Sequence, residues 1–357
     1  MVEESQSGQA NKHHSLAGQA QTAPRTPPDD MIDTPSDCER WPFLNEFRGH
    51  GRDSLVALYV ASDSAAQHAQ GVHKICVLVA ACSATLTVWL AIFQLAYPQT
   101  IMSHLELAAA FVAAGAFAVG QHYRKEWLKE RHKAERCRLL KFSFMIRPEL
   151  WTWEEVSSEE SPRKLDKDID DVNQMSFDDV MSWLSDDKML SPPGRILSRN
   201  LEQLTQLRDY YCEKRLRGQS DYYRKGPSQL DIRQRDRRWQ IDPQWLFKLS
   251  VVFVVVHALS GGAETASKLL SVFAACLPVA GSGIRTWRSA IEPARNLSRF
   301  DAKCIALHHI DERMEKGEIK ETAKAESVLR DLWCAEQVME SEHREWLRLM
   351  GEAEWQG

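Results

Sequence analysis

The chain has 357 residues, enough for two or three ordinary domains with a substantial core. Lys plus Arg number 45 against 50 for Asp plus Glu, a slightly acidic balance that gives no reason to expect a nucleic-acid partner. Eight scattered cysteines form no C-x-x-C pair, so free thiols facing a reducing compartment are expected. The acidic start "MVEESQSGQANKHHS" offers neither a basic region nor an apolar region of the kind a cleaved secretion signal needs.

In chain order, residues 1–40 are rich in Ser, Gln, Pro and Asp and poor in large apolar groups, which predicts a disordered tail. Ile75 to Ala96, "ICVLVAACSATLTVWLAIFQLA", carries no charge and is long enough to cross roughly 30 Å of hydrocarbon as a helix. "YPQTIMSH" turns the chain, and Leu107 to Gly120 returns, spanning only with its flanks Leu105 and Tyr123. The pattern recurs at Trp245 to Gly261 and Leu269 to Ile284, joined by "GGAETASK". Each of these two segments is near the lower limit for a span, and a pair of buried helices in a soluble bundle would look similar.

Charge distribution decides between the two. Lys74, residues 124–138, 233–239, 285–288 and 295–299 place Lys and Arg at the outer ends of both hairpins, whereas the tight loops hold only Lys268. Insertion retains basic flanks on the cytoplasmic side. The expected fold is therefore all-α: an integral membrane protein with four transmembrane helices in two hairpins plus long cytosolic helices, located in the cell (inner) membrane with both termini cytosolic. The units run 1–40 (tail), 41–145 (first helix, hairpin, helix), 146–196 (acidic linker, with "FDDVMSWL" as a short helix) and 197–357 (second unit with a C-terminal helix).

Small residues at four-residue spacing, Ala110, Ala114 and Ala118 in one row and Ser271, Ala275, Val279 and Gly283 in another, allow close helix approach, within the chain or between copies. Pro278 is expected to bend its span. Val328, Leu332, Ala335, Met339, Trp346 and Leu349 make a helical seam interrupted at Glu342, fit for packing on this chain's own helices or a neighbour's.

Two ionisable residues lie in the apolar runs. Lys248 is one turn in and can snorkel to the interface. His257 is deeper and needs either a hydrogen bond to a neighbouring helix or a water-filled conduit that it would make pH-sensitive. The chain lacks the common nucleophile, phosphate-loop, dinucleotide and zinc motifs, so no enzyme activity, cofactor or metal is expected.

The polar helices beside the hairpins repeat. Tyr59 and Gln67 are eight residues apart, as are Tyr211 and Gln219, and each pair shares a helix face. Trp127, Arg131, Glu135 and Arg138 form one stripe, fit to pair ions and to hold a ring at the headgroups, or simply a solvated face. Tyr59, Gln67, Trp127, Arg131 and Glu135, with Tyr211, Arg215, Gln219, Tyr222, Trp287 and Arg295 in the second half, resemble the SLATT family, the SMODS and SLOG-associating two-transmembrane effector domains. The resemblance implies a pore-forming, homo-oligomeric membrane effector of bacterial conflict or antiphage systems, triggered by a separate nucleotide-sensing partner. This chain differs in carrying two hairpins and no recognisable sensor. The alternative is a non-conducting membrane scaffold whose cytosolic helices recruit a partner.

Overall fold

A computed structural model describes residues 30–47, 52–97, 100–146, 160–185, 201–220, 243–259, 264–291, 293–314, 319 and 322–352. Among these residues the protein is helical throughout, with no strand. Two short helices, α1 (Pro35–Arg40) and α2 (Phe43–Phe47), precede the long pair α3 (Arg52–Ala96) and α4 (Thr100–Met145). Then come α5 (Glu160–Asn173), α6 (Phe177–Ser185) and α7 (Leu201–Tyr211), the last continuing as a π-helical segment, Cys212–Arg217. The second hairpin is α8 (Pro243–Leu259) and α9 (Glu264–Ile291), followed by α10 (Pro293–Arg313) and α11 (Thr322–Glu352).

At 45 and 46 residues, α3 and α4 are about 68 Å long, roughly twice the thickness of bilayer hydrocarbon. Their sequence divides them accordingly. The halves near the turn are apolar, and the distal halves are charged. Three helices, α3, α4 and α9, are long and apolar enough to cross a membrane; α8 has 17 residues and a shorter apolar stretch, Trp245–His257.

Hydroxyls in the apolar halves are absorbed locally: Thr85 and Thr87 bond the carbonyls of Ala81 and Ser83 one turn back. The α3–α4 hairpin closes tightly at Gly120, where an added Cβ would lie 3.1 Å from Cys76 Cβ and where the carbonyl is 2.9 Å from His73 Nδ1. Between α8 and α9, Phe253 stacks on Phe273, and Ser250 Oγ donates to the Ala274 carbonyl at 2.6 Å. That carbonyl is the one orphaned by Pro278, which has no N–H to return to it. The helix therefore runs through Pro278.

Helix α9 also lies along α3. Trp89 Nε1 donates to the Cys276 carbonyl at 3.1 Å, and a Cβ at Gly283 would lie 2.6 Å from Thr85 Oγ1. The paired positions run in opposite directions, so the helices are antiparallel and both hairpin turns sit at the same end of the molecule. The other small-residue row is different: Ala114 and Ala118 are exposed.

The apolar cores lie at the opposite end. One joins Trp41, Phe43, Phe142, Tyr210, Tyr211, Leu307 and Leu332; a second joins Met31, Leu55, Tyr59, Cys137, Leu165 and Ile169; a third joins Ala66, Trp127, Val180, Leu184 and Leu347. Two expectations change here. Residues 30–40, assigned to a disordered tail, are packed: Met31 is fully buried, and a Thr34–Asp37 capping box starts α1. The acidic linker is also more than a connector, because Leu165, Ile169 and Val172 recur at helical spacing and bury one face of α5. Residues 1–29, 147–159 and 186–200 lie outside the described residues.

Candidate functional site

Where the polar halves of α3 and α4 meet α7 and α11, a chain of ion pairs runs through the interior. Asp63 on α3 meets Arg131 at 3.1 Å, Arg131 meets Glu135 at 2.7 Å, and Glu135 meets Arg138 at 2.8 Å. Arg138 reaches across to donate to the Tyr59 hydroxyl (2.5 Å) and lies 3.1 Å from Asp30 Oδ1. The other Asp30 oxygen is 2.5 Å from Arg215 Nη1, while Nε and Nη2 of Arg215 grip both oxygens of Glu336 at 3.1 and 3.2 Å. Tyr211 donates to Glu336 at 2.6 Å, and Gln219 approaches Asp30 at 3.5 Å.

Each member arrives by ordinary helix geometry. Arg131, Glu135 and Arg138 follow at four and three residues and so line one face of α4. Tyr211 and Arg215 are both placed on Glu336, with the wider π turn beginning at Cys212 between them. The guanidinium of Arg215 also rests on the Phe142 ring at 4.7 Å and that of Arg138 on Tyr59 at 5.0 Å.

Burial makes this network costly to break. Asp30, Arg215 and Glu336 are 4%, 3% and 0% exposed. Burial alone would raise the Asp30 carboxyl, yet Arg138 and Arg215 overcome it and hold the group below its ordinary value. Glu135 is likewise depressed, against its own desolvation, by Arg138 and Arg131. Burial and the Glu336 carboxylate push the Tyr211 phenol well up, so it stays a donor. The cluster holds fixed charges and no activated nucleophile, and among the described residues no group of His, Cys and carboxylates is placed to hold a metal ion. Such an arrangement locks helices together.

A second polar core sits nearby. His132 Nδ1 and His343 Nε2 are 2.9 Å apart with their rings stacked, flanked by Trp183 and Trp346. Trp127 belongs here: it is 8% exposed, edge-on to Trp346 and stacked on His73, so its ring is covered by protein and not turned outward as a headgroup anchor would be.

Of the residues singled out in the sequence, Tyr59, Arg131, Glu135, Tyr211, Arg215 and Gln219 converge on the ion network, and Gln67 touches its edge through Asp63 at 2.6 Å. Lys248 and His257 lie far away at the apolar end. Lys248 is exposed with its ammonium 5.2 Å from the Trp245 ring centre, and His257 Nε2 lies 3.4 Å from Ser271 Oγ. The side chains of Trp287 and Arg295, and the whole of Tyr222, lie outside the described residues. Comparison with protein-family models, curated proteins and solved structures finds no match. The likeness to SLATT therefore stands on the residue pattern alone.

Sequence reasoning missed Asp30, Glu336, His132 and His343. Glu336 sits within the α11 seam between Leu332 and Met339, a polar residue on a buried stripe and the one available signal. Asp30 had none, since it stands among ordinary tail residues.

Proposed function

We propose that this chain is a multi-pass protein of the cell membrane in which both hairpins cross the bilayer, with the ion network and both termini on the cytosolic side. One observation carries the reading. Among the described residues, every exposed large apolar side chain except Ile32, Val60, Met181 and Ile305 falls on the two hairpins, from Ile75 to Val119 and from Trp245 to Phe273. Water would penalise this surface heavily, and lipid does not. The common end of the two turns and the Arg and Lys residues at the opposite end agree with it. A fourth span from α8 needs local thinning or a snorkelling Lys248.

In this setting the chain acts as a membrane effector that permeabilises or depolarises the bilayer on a signal, as the SLATT-like residues imply, with a separate nucleotide-sensing protein as the trigger. The hydroxyls of Thr85, Thr87 and Ser250 are taken up by carbonyls within the hairpins, so the conduit forms between copies in a homo-oligomer. The second reading, a non-conducting scaffold, is favoured by the proximity of His257 to Ser271, which supplies that imidazole with a partner inside the hairpin. Reconstitution separates them: proteoliposomes carrying the effector lose a potassium gradient when its trigger is present, and an oligomer silent under every candidate trigger leaves the scaffold.

A further inference from the structure

The two hairpins are level at one end and unequal at the other. Trp89 on α3 donates to the Cys276 carbonyl on α9, so these two residues share a depth. Toward the turns, α3 runs seven more residues to Ala96 and α9 eight to Lys268, about 10 and 12 Å at the helical rise. Toward the charged cores the match is lost. Lys74, the first cation reached on α3, is 15 residues from Trp89, about 22 Å, whereas Arg285 is nine residues from Cys276, about 14 Å. Counted from the Thr85–Gly283 contact, Lys74 is 11 residues away and Arg285 only two, a larger step still. Helix α8 follows α9. Ser250 Oγ reaches the Ala274 carbonyl, two residues from Cys276, so Lys248 starts within about one turn of the depth of Trp89. Its side chain runs down only as far as the Trp245 ring, 5.2 Å from the ammonium.

The bare apolar surface takes the same step. On the first hairpin it reaches Ile75 and Val119, beside the Gly120–His73 contact, while on the second, among the described residues, it stops at Trp245. A bilayer with about 30 Å of hydrocarbon fits the first hairpin but would bury Lys248 and Arg285, both of them exposed. Cations at that depth are costly unless the bilayer thins to meet them. Because the turns are level, the thinning falls on the cytosolic leaflet. Taking both hairpins to cross the bilayer, as above, we propose that the second hairpin draws the cytosolic leaflet inward at Lys248 and Arg285, and that the protein thereby carries phospholipids between the two leaflets. The phosphate headgroup meets the two cations at the depth where a free lipid has none, and its acyl chains stay in hydrocarbon along the exposed valines of α8, Val251, Val252, Val254, Val255 and Val256. The mismatch belongs to the chain as it stands, so the activity needs no trigger.

The full chain is reconstituted in phosphatidylcholine–phosphatidylglycerol vesicles that carry a short-chain fluorescent phosphatidylcholine in both leaflets. Albumin, too large for an ion conduit, then extracts the label from outside. Flotation after a carbonate wash tests insertion separately, and a chain released by the wash removes the membrane reading itself. With inserted protein, extraction is expected to pass from the outer-leaflet share to nearly all of the label. Extraction that halts at the outer-leaflet share, as in protein-free vesicles, overturns the proposal while leaving the spans in place. Lys248→Leu combined with Arg285→Leu extends the apolar surface toward the cytosol; it should float as before and slow the second phase of extraction about tenfold, whereas Lys248→Arg keeps the rate. A double variant that floats and remains as fast as the natural chain also overturns it, since the depth of the two cations would then play no part.

Discussion

At the scale of single residues, what matters is which charges can be left alone. Arg215 is buried between two carboxylates, so Arg215→Gln strands Asp30 and Glu336 and is expected to cost about 3–5 kcal/mol, read as a lower unfolding midpoint in detergent. The partly exposed pair Lys214–Asp37 should lose under about 1 kcal/mol in Lys214→Ala. The two histidines respond to pH in the same sense as the carboxylates, but in a higher window. Burial, reinforced by Arg131, Arg136 and Arg138 and opposed by Glu135, brings His343 down to about 4, and burial with His343, Arg136 and Arg344 lowers His132 well below its usual range. The Glu340 carboxylate on α11 lies beside the same group of arginines and pairs with Arg344. In the window between His343's ordinary value and about 4, the folded state holds fewer protons than the unfolded chain, so acidification removes stability, about 3 kcal/mol from His343 alone. The depressed Asp30 and Glu135 lose their contribution only at lower pH, as it falls through their folded values. Unfolding midpoints at pH 7.5 and 5.0 should differ clearly for the natural chain and far less for His343→Gln; equal slopes would assign the dependence elsewhere.

At the scale of elements, the hairpins were legible because an uncharged run of about 20 residues has few physical alternatives as a helix. The stripe Arg131, Glu135 and Arg138 was legible as one face but not as a buried one. Helix periodicity says which residues point together, and only residues 30–40, α7 and α11 arriving from distant sequence turn that face inward. The same reasoning explains α5, whose short stripe of Leu165, Ile169 and Val172 was hidden by surrounding acid. Contacts between α9 and α3 were legible only as small residues in a row, of which Gly283 meets α3 at Thr85. Gly283→Leu drives a side chain onto Thr85 and should cost about 1–3 kcal/mol, with Thr85→Ala recovering part of it. A full loss in the double variant would mean that the strain is against backbone and not Thr85. Ser250→Ala removes the donor that serves the carbonyl freed by Pro278, and a loss of about 1 kcal/mol is expected in a detergent melt.

For the whole molecule, orientation ties the two ends together. Trp89 against Cys276 and Thr85 against Gly283 put the helix ends at Ala96 and Thr100 and those at Leu259 and Glu264 on one side, while Tyr59, Arg138, Arg215 and Glu336 gather at the other. If the hairpins cross a bilayer, these two sides face different compartments, and no rearrangement short of unpacking α9 from α3 can put one turn inside and the other outside. Single cysteines at Thr100 and Glu264, in a chain with its own thiols replaced by serine or alanine, should therefore react together with an impermeant maleimide applied to intact cells, and a cysteine at exposed Ser327 should react only after lysis. Split behaviour of the two turn positions would contradict the antiparallel pairing itself, whereas protection of both until lysis would leave the pairing intact and invert the membrane topology. Reaction of all three without lysis would remove the bilayer from between them, and with it the reason for the valine-rich face of α8 to be bare.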